Sequence, residues 1–119
     1  MDFHLAPIES RFADIIWKNE PLASSELARI ALEEIGWKKS TSYTVLKRIC
    51  DRGLFKNEKG IVTSNIKREE FYTKRGEMLI DEAFTGSLPA FIAAFASKKG
   101  ITPEEAESLR KIISEYEAE

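Results

Sequence analysis

The chain has 119 residues, with 18 Lys and Arg against 20 Asp and Glu, so its formal net charge is −2. This length fits one compact domain, or a small domain that carries a helical extension. A hydrophobic share of 43% is enough for a core, and 32% charged residues are typical of a soluble protein. No apolar run approaches the ~20 residues of a membrane span. The N-terminus also lacks the features of a signal peptide, so we expect a cytoplasmic protein without membrane insertion.

The sequence has few residues that could serve catalysis or bind a metal. One cysteine, Cys50, and one histidine, His4, cannot form an internal disulfide or a structural zinc site. The sequence has no nucleophile–base series and no glycine-rich phosphate loop. We therefore expect no cofactor, no metal and no catalytic residues.

Two helices are predicted first along the chain. The first begins at Pro7 or Ile8 and ends near Lys18, where the Asn-Glu-Pro run at 19–21 breaks it. Its apolar face is Ile8, Phe12, Ile15 and Ile16, with Trp17 near its end. The second begins at Ser24 or Ser25, either of which could cap it, and ends at Gly36. Its inward side is Leu27, Ile30, Ala31 and Ile35.

The third helix, between the turn at 37–39 and Gly53, is the most informative segment. At 100° per residue its apolar face is Ser42, Val45, Leu46 and Ile49. The opposite face is Ser40, Tyr43, Thr44, Lys47 and Asp51, with Thr41 and Arg48 at its edge. Short hydroxyls, an aromatic ring and cations hydrogen-bond to base edges and phosphates, as on the reading helix of a helix-turn-helix protein. The alternative is an ordinary amphipathic core helix.

The local charge around this helix favours the DNA interpretation. Residues 36–59 hold seven Lys and Arg against two Asp and Glu, a net charge of +5. A basic patch of this kind is what phosphate contact requires, whatever the charge of the whole chain.

A β-hairpin is predicted next. Residues 54–56 and 61–66 are strand-like, and residues 57–60 have turn chemistry, with Lys56 and Lys59 around the tip. Three helices followed by a hairpin is the winged helix-turn-helix order. The predicted fold class is therefore mainly α, an α+β winged helix, with a DNA-binding domain over 1–67. The hairpin could instead be a structural lid on the core, and that role does not exclude backbone contacts.

Three amphipathic helices are predicted over the rest of the chain. The first runs from about Lys67 to Phe84, the second follows a Ser87 cap and ends at Lys98-Lys99-Gly100, and the third begins in a Thr102–Glu105 capping box. Because so short a segment cannot easily bury three apolar stripes, we predict a helical dimerisation domain over 68–119. The predicted dimerisation residues are Met78, Leu79, Leu88, Phe91, Ile92, Phe95, Leu109, Ile112, Ile113 and Tyr116. The alternative is that these helices fold back onto the winged domain.

The chain resembles the penicillinase-repressor family of winged helix-turn-helix transcriptional regulators. The resemblance rests on E-S-R-F-A-D-I-I-W at 9–17, Trp37, T-S-Y-T-V-L-K-R-I at 41–49, the hairpin, and G-S-L-P-A-F-I-A-A-F at 86–95. It implies a homodimeric repressor of the antibiotic response, with the winged domain on a palindromic double-stranded DNA operator and the helical tail as dimer interface.

Several site residues follow from this resemblance. Thr41, Thr44 and Arg48 match the family's Thr, Thr and Arg, whereas Tyr43 stands where better-known members have Arg, and Ser40 replaces a frequent Lys. Together with the basic patch, the predicted DNA-binding residues are Lys39, Ser40, Thr41, Tyr43, Thr44, Lys47, Arg48, Lys56 and Lys59.

The resemblance also implies release of the operator by proteolysis within the dimerisation region. In the family a membrane sensor-protease that detects β-lactam triggers cleavage of an Asn-Phe bond, and the aligned pair here is Ala94-Phe95. The alternative for Phe95 is a buried residue of the dimer core. The alternative for the whole chain is a winged-helix protein-interaction module without DNA binding.

Overall fold

The computed structural model of the protein describes residues 1–118 and confirms the α+β winged-helix class. Its elements are α1 (Pro7–Asn19), β1 (Leu22–Ala23), α2 (Ser24–Glu34), α3 (Lys39–Asp51), β2 (Phe55–Glu58), β3 (Ile61–Ser64), α4 (Arg68–Ala83), α5 (Leu88–Lys99) and α6 (Pro103–Tyr116). They form two units, Met1–Gly76 and a second that starts at Glu77.

The first unit is built around one hydrophobic core. The core collects the apolar faces of α1, α2 and α3 together with one face of the sheet. Its largest fully buried side chains are Phe12, Ile16, Leu27, Ile49, Leu54, Phe55, Val62 and Phe71. The predicted inward face of α3 is confirmed, since Ser42, Val45, Leu46 and Ile49 are all buried. This burial turns the other side of α3 outward.

The sheet contains one strand that the sequence did not indicate. Its order is β1-β3-β2, all antiparallel, and the short β1 pairs Leu22 with Val62. A two-residue strand carries too little periodicity to be recognised locally. It forms because the hairpin supplies the hydrogen-bonding edge.

The hairpin turn is tighter than predicted. The ladder continues to the pair Glu58 and Ile61, so only Lys59 and Gly60 form the turn, rather than the predicted 57–60. Both residues have positive φ, 52° and 82°. This backbone matches the right-handed twist of the two strands, and glycine adopts it without steric cost.

Two predictions about the first helices were wrong. Ile8, assigned to the apolar face of α1, is 41% exposed, and the buried position belongs to its neighbour Glu9. Neither Ser24 nor Ser25 caps α2: its N-cap residue is Ala23, which makes no side-chain cap. Because β1 pairs with β3, the Ser24 amide donates instead to the Gly60 carbonyl at 2.8 Å.

The beginning of α4 is attached to the first unit. Phe71 is fully buried and its ring lies 5.7 Å from that of Trp17, whose indole Nε1 donates to the Ile66 carbonyl at 3.0 Å. Arg68 Nε lies 2.8 Å from Asp14 Oδ1 on α1. The first two turns of α4 therefore belong to the core of the winged unit.

The second unit has well-capped helices but no buried side chain among residues 77–118. The predicted caps are confirmed: Ser87 Oγ accepts from the Ala90 amide, and Thr102 and Glu105 form a reciprocal capping box. Within residues 1–118 no single helix has the length and apolarity to cross a membrane. Among these residues, α4 and α5 have that length and apolarity only when they are taken as a pair, and the pair is bent by 86°.

Candidate nucleic-acid interface

The outward side of α3 carries most of the residues predicted to contact DNA. We call this surface the reading face, and it comprises Lys39, Ser40, Thr41, Tyr43, Thr44, Lys47 and Arg48. All of them are exposed except Tyr43, which is half-buried. Hydroxyls and cations therefore face solvent, while the opposite side of the same helix is held in the core.

Tyr43 is fixed against neighbouring elements. Its hydroxyl lies 3.4 Å from Ser24 Oγ, and Lys39 Nζ lies 5.9 Å from the centre of its ring. The Ser24 amide donates to the Gly60 carbonyl, so Ser24 connects Tyr43 on the reading helix to the turn of the hairpin. Only part of the Tyr43 ring is left for a ligand.

The hydroxyl of Thr44 is oriented by its own helix. Its Oγ1 donates to the Ser40 carbonyl at 2.9 Å, the bond to the preceding turn that threonine makes in helices. The proton is therefore engaged while the oxygen lone pairs face outward. In this rotamer Thr44 can accept a hydrogen bond from the exocyclic amine of a base.

Lys47 is paired with an acid one turn along α3. Its Nζ lies 3.2 Å from Asp51 Oδ2, and both side chains are well exposed. Such a pair contributes roughly 0.5 kcal/mol or less. A phosphate can therefore replace Asp51 as the partner of Lys47 at little cost.

A carboxylate that the sequence reading missed lies beside Arg48. Glu9 is 5% exposed, and its oxygens accept from Arg52 Nη1 at 2.9 Å, Arg52 Nη2 at 3.2 Å and Arg48 Nη1 at 3.3 Å. The Ala6 amide also donates to Glu9 Oε1 at 2.8 Å. We call Glu9, Arg48 and Arg52 the arginine–carboxylate cluster.

Electrostatics in this cluster favour the charged carboxylate. The hydrogen bonds from Arg52 hold the pKa of Glu9 at about 2, against an ordinary 4.5. Burial opposes this shift, and the Ala6 amide and Arg48 reinforce it. A sequence signal did exist, because Glu at the third position of a helix is where the capping box places an acid. The arginine partners, 39 and 43 residues away, gave no such signal.

The hairpin adds two exposed cations. Lys56 Nζ lies 3.6 Å from Glu58 on the same strand, whereas Lys59 sits at the turn itself. Glu9 also changes the local charge: counted with residues 36–59 it leaves seven cations against three carboxylates, or +4. The patch stays basic, but less so than the sequence count indicated.

Cys50 lies on α3, outside the reading face and the arginine–carboxylate cluster. Cys50 is half-buried, and burial together with nearby Asp51 raises the pKa of its thiol, so it packs as a neutral side chain. Across residues 1–118 no three His, Cys, Asp or Glu side chains are placed to hold a metal ion.

A winged fold with a basic, hydroxyl-bearing third helix defines a class of regulatory proteins. Comparison with known proteins identifies the family within this class. The family model for the penicillinase repressor matches residues 5–115. The protein therefore belongs to the penicillinase repressor family, a family of transcriptional repressors. Among its relatives, the penicillinase repressor of Bacillus licheniformis is 20% identical over 116 residues, which cover 94% of this chain and 91% of that protein.

Proposed function

We propose that this protein is a sequence-specific DNA-binding repressor that acts as a homodimer on a palindromic operator. In this proposal residues 1–67 bind DNA and residues 68–119 dimerise, while the first two turns of α4 also complete the core of the winged unit. The observation that carries it is the reading face, a row of exposed hydroxyls and cations on the helix that a winged fold uses in the major groove.

The contacts divide by chemistry. Ser40, Thr41 and Thr44 carry no charge and contribute sequence discrimination through base edges. The cations of α3 and of the hairpin neutralise phosphates and position the protein. The proposed phosphate contacts are Lys39, Lys47, Lys56 and Lys59. Arg48 can reach a guanine edge as well as a phosphate, so it contributes to both kinds of contact.

The experiment that tests the reading face is a gel shift with a duplex selected from a random pool by the unmodified protein. Thr44→Ala and Arg48→Ala should each weaken binding, by roughly 1–3 kcal/mol for a base contact. The matched controls Thr73→Ala and Arg110→Ala alter exposed residues of α4 and α6 and should bind normally. Unchanged affinity for both α3 variants would remove this helix as the reader.

The homodimer is supported by the apolar surface of the second unit. Phe91, Ile92, Phe95, Ile101 and Leu109 line an open groove of about 470 Å³ between α5 and α6. The large apolar side chains that are exposed in this unit are Leu79, Leu88, Phe95, Ile101, Ile112, Ile113 and Tyr116. The other predicted dimerisation residues, Met78, Phe91, Ile92 and Leu109, are half-buried. A unit without a core of its own gains one when a second copy covers these surfaces.

A charge placed in this surface tests the dimer. Ile113→Glu puts a carboxylate on a side chain that is 62% exposed in one chain and would be covered in the pair. We expect a monomer by light scattering, with operator affinity lost because two linked half-sites become one. Ser114→Glu changes the neighbouring residue, outside the apolar stripe of α6, and should remain dimeric. A dimeric Ile113→Glu protein would contradict the proposed interface.

Proteolytic derepression at Ala94-Phe95 is the release step of the proposal. The bond lies in the middle of α5, so a protease must first unwind that helix, and Phe95 is 50% exposed in the groove. Cutting there divides the proposed dimer surface. Mass spectrometry of β-lactam-treated host cells should then find a fragment that ends at Ala94. A chain that stays intact throughout induction would contradict this step and the sensor-protease partner.

The salt dependence of duplex binding distinguishes the DNA proposal from the protein-interaction alternative. Phosphate contacts release counterions, so DNA affinity should fall steeply as salt rises. A protein that ignores duplexes even in dilute buffer would favour the interaction module.

A further inference from the structure

We propose that Glu9 is a positioning residue for DNA recognition, which holds the Arg48 guanidinium in the one orientation that suits the operator. This inference rests on the proposed DNA binding. It concerns a buried carboxylate on α1 that lies outside the reading face, yet touches a side chain within it.

The geometry separates the two arginines by role. Arg52 is 20% exposed, meets Glu9 through both Nη atoms and also donates to the His4 carbonyl at 2.8 Å. It is therefore the permanent partner of the carboxylate. Arg48 is 52% exposed and meets Glu9 through Nη1 at 3.3 Å. Its remaining donors lie at the surface, where a phosphate or a guanine edge can reach them.

The charges of the arginine–carboxylate cluster also favour a positioning role for Glu9. One carboxylate faces two guanidinium groups, so the cluster keeps a net positive charge while each cation has an oxygen to bond. A freely rotating arginine binds any phosphate, but it loses rotamer freedom when it must adopt one bidentate geometry. Glu9 removes part of that loss in advance, because the Nη1 contact restricts Arg48 before DNA arrives.

This arrangement predicts opposite effects on two kinds of DNA. In Glu9→Gln the amide can still accept from Ala6, as glutamine does in a capping box, but the charge that attracts Arg48 is gone. Binding to a scrambled duplex should strengthen, with a log–log salt slope steeper by about one, since about one more cation reaches phosphate. The ratio of operator affinity to scrambled-duplex affinity should fall by roughly tenfold, the order of one base contact.

The experiment measures both duplexes with the same preparation, so that any inactive fraction cancels in the ratio. The operator duplex is the one selected from a random pool by the unmodified protein. Glu69→Gln is the control, because it makes the same change of net charge at an exposed site on α4. A double variant with Arg48→Ala shows whether Glu9 acts through Arg48, since Glu9→Gln should not lower the ratio further in that background.

The outcomes are distinguishable. If the unmodified protein binds no duplex, the proposed function itself fails. If it binds but Glu9→Gln keeps the operator ratio and the salt slope, or if Glu69→Gln changes them equally, Glu9 has no positioning role. A further fall of the ratio in the Arg48→Ala background would also overturn the inference.

Discussion

The arginine–carboxylate cluster predicts a pH-dependent stability that can be worked out from its geometry. In the folded protein the pKa of Glu9 is about 2, against 4.5 for an ordinary glutamate. At roughly 1.4 kcal/mol per pH unit of difference between folded and unfolded pKa, the charged carboxylate stabilises the fold by about 3 kcal/mol. Since the folded pKa is the lower one, this stabilisation is complete above pH 4.5 and disappears as the pH falls towards 2.

Glu9→Gln removes the titrating group and keeps its size. We expect the variant to be less stable than the unmodified protein by about 3 kcal/mol at neutral pH, and nearly equal to it at a pH of about 2. Urea unfolding of both proteins across this range gives the difference in unfolding free energy directly. Glu69→Gln, at an exposed position, should show no comparable trend.

A difference that does not change with pH would refute this reasoning, because a purely steric effect of the substitution does not titrate. A neutral-pH difference below about 1 kcal/mol would likewise show that the bonds from Arg52 do not outweigh the burial of Glu9.

Two other variants test separate parts of the chain. Phe71→Ala empties a fully buried site next to Trp17 and should lower the unfolding free energy by about 3–5 kcal/mol in urea titration; a loss below about 1 kcal/mol would show that α4 does not complete the core of the winged unit. Lys59→Ala at the hairpin turn should weaken all duplexes alike and flatten the salt slope in a gel-shift titration, whereas an effect confined to one sequence would reject the backbone role.

Several elements could be predicted from the sequence because interactions between neighbouring residues determine them. The buried face of α3 follows from helical periodicity, and the capping box at Thr102 and Glu105 needs only residues within one turn. The hairpin was predictable for the same reason, since Gly60 and its neighbours have turn chemistry. Family membership also followed from an ordered series of local motifs, which the match over residues 5–115 confirms.

Other features were decided only by tertiary structure. The strand at Leu22–Ala23 exists because β3 offers it an edge some 40 residues later, and that pairing also removes Ser24 from its expected role as a cap. Glu9 was absent from the predicted site because its partners, Arg48 and Arg52, approach it only when α1 and α3 pack. Periodicity records which side of a helix is apolar. It does not record which charged residues from distant segments come to share a hydrogen bond.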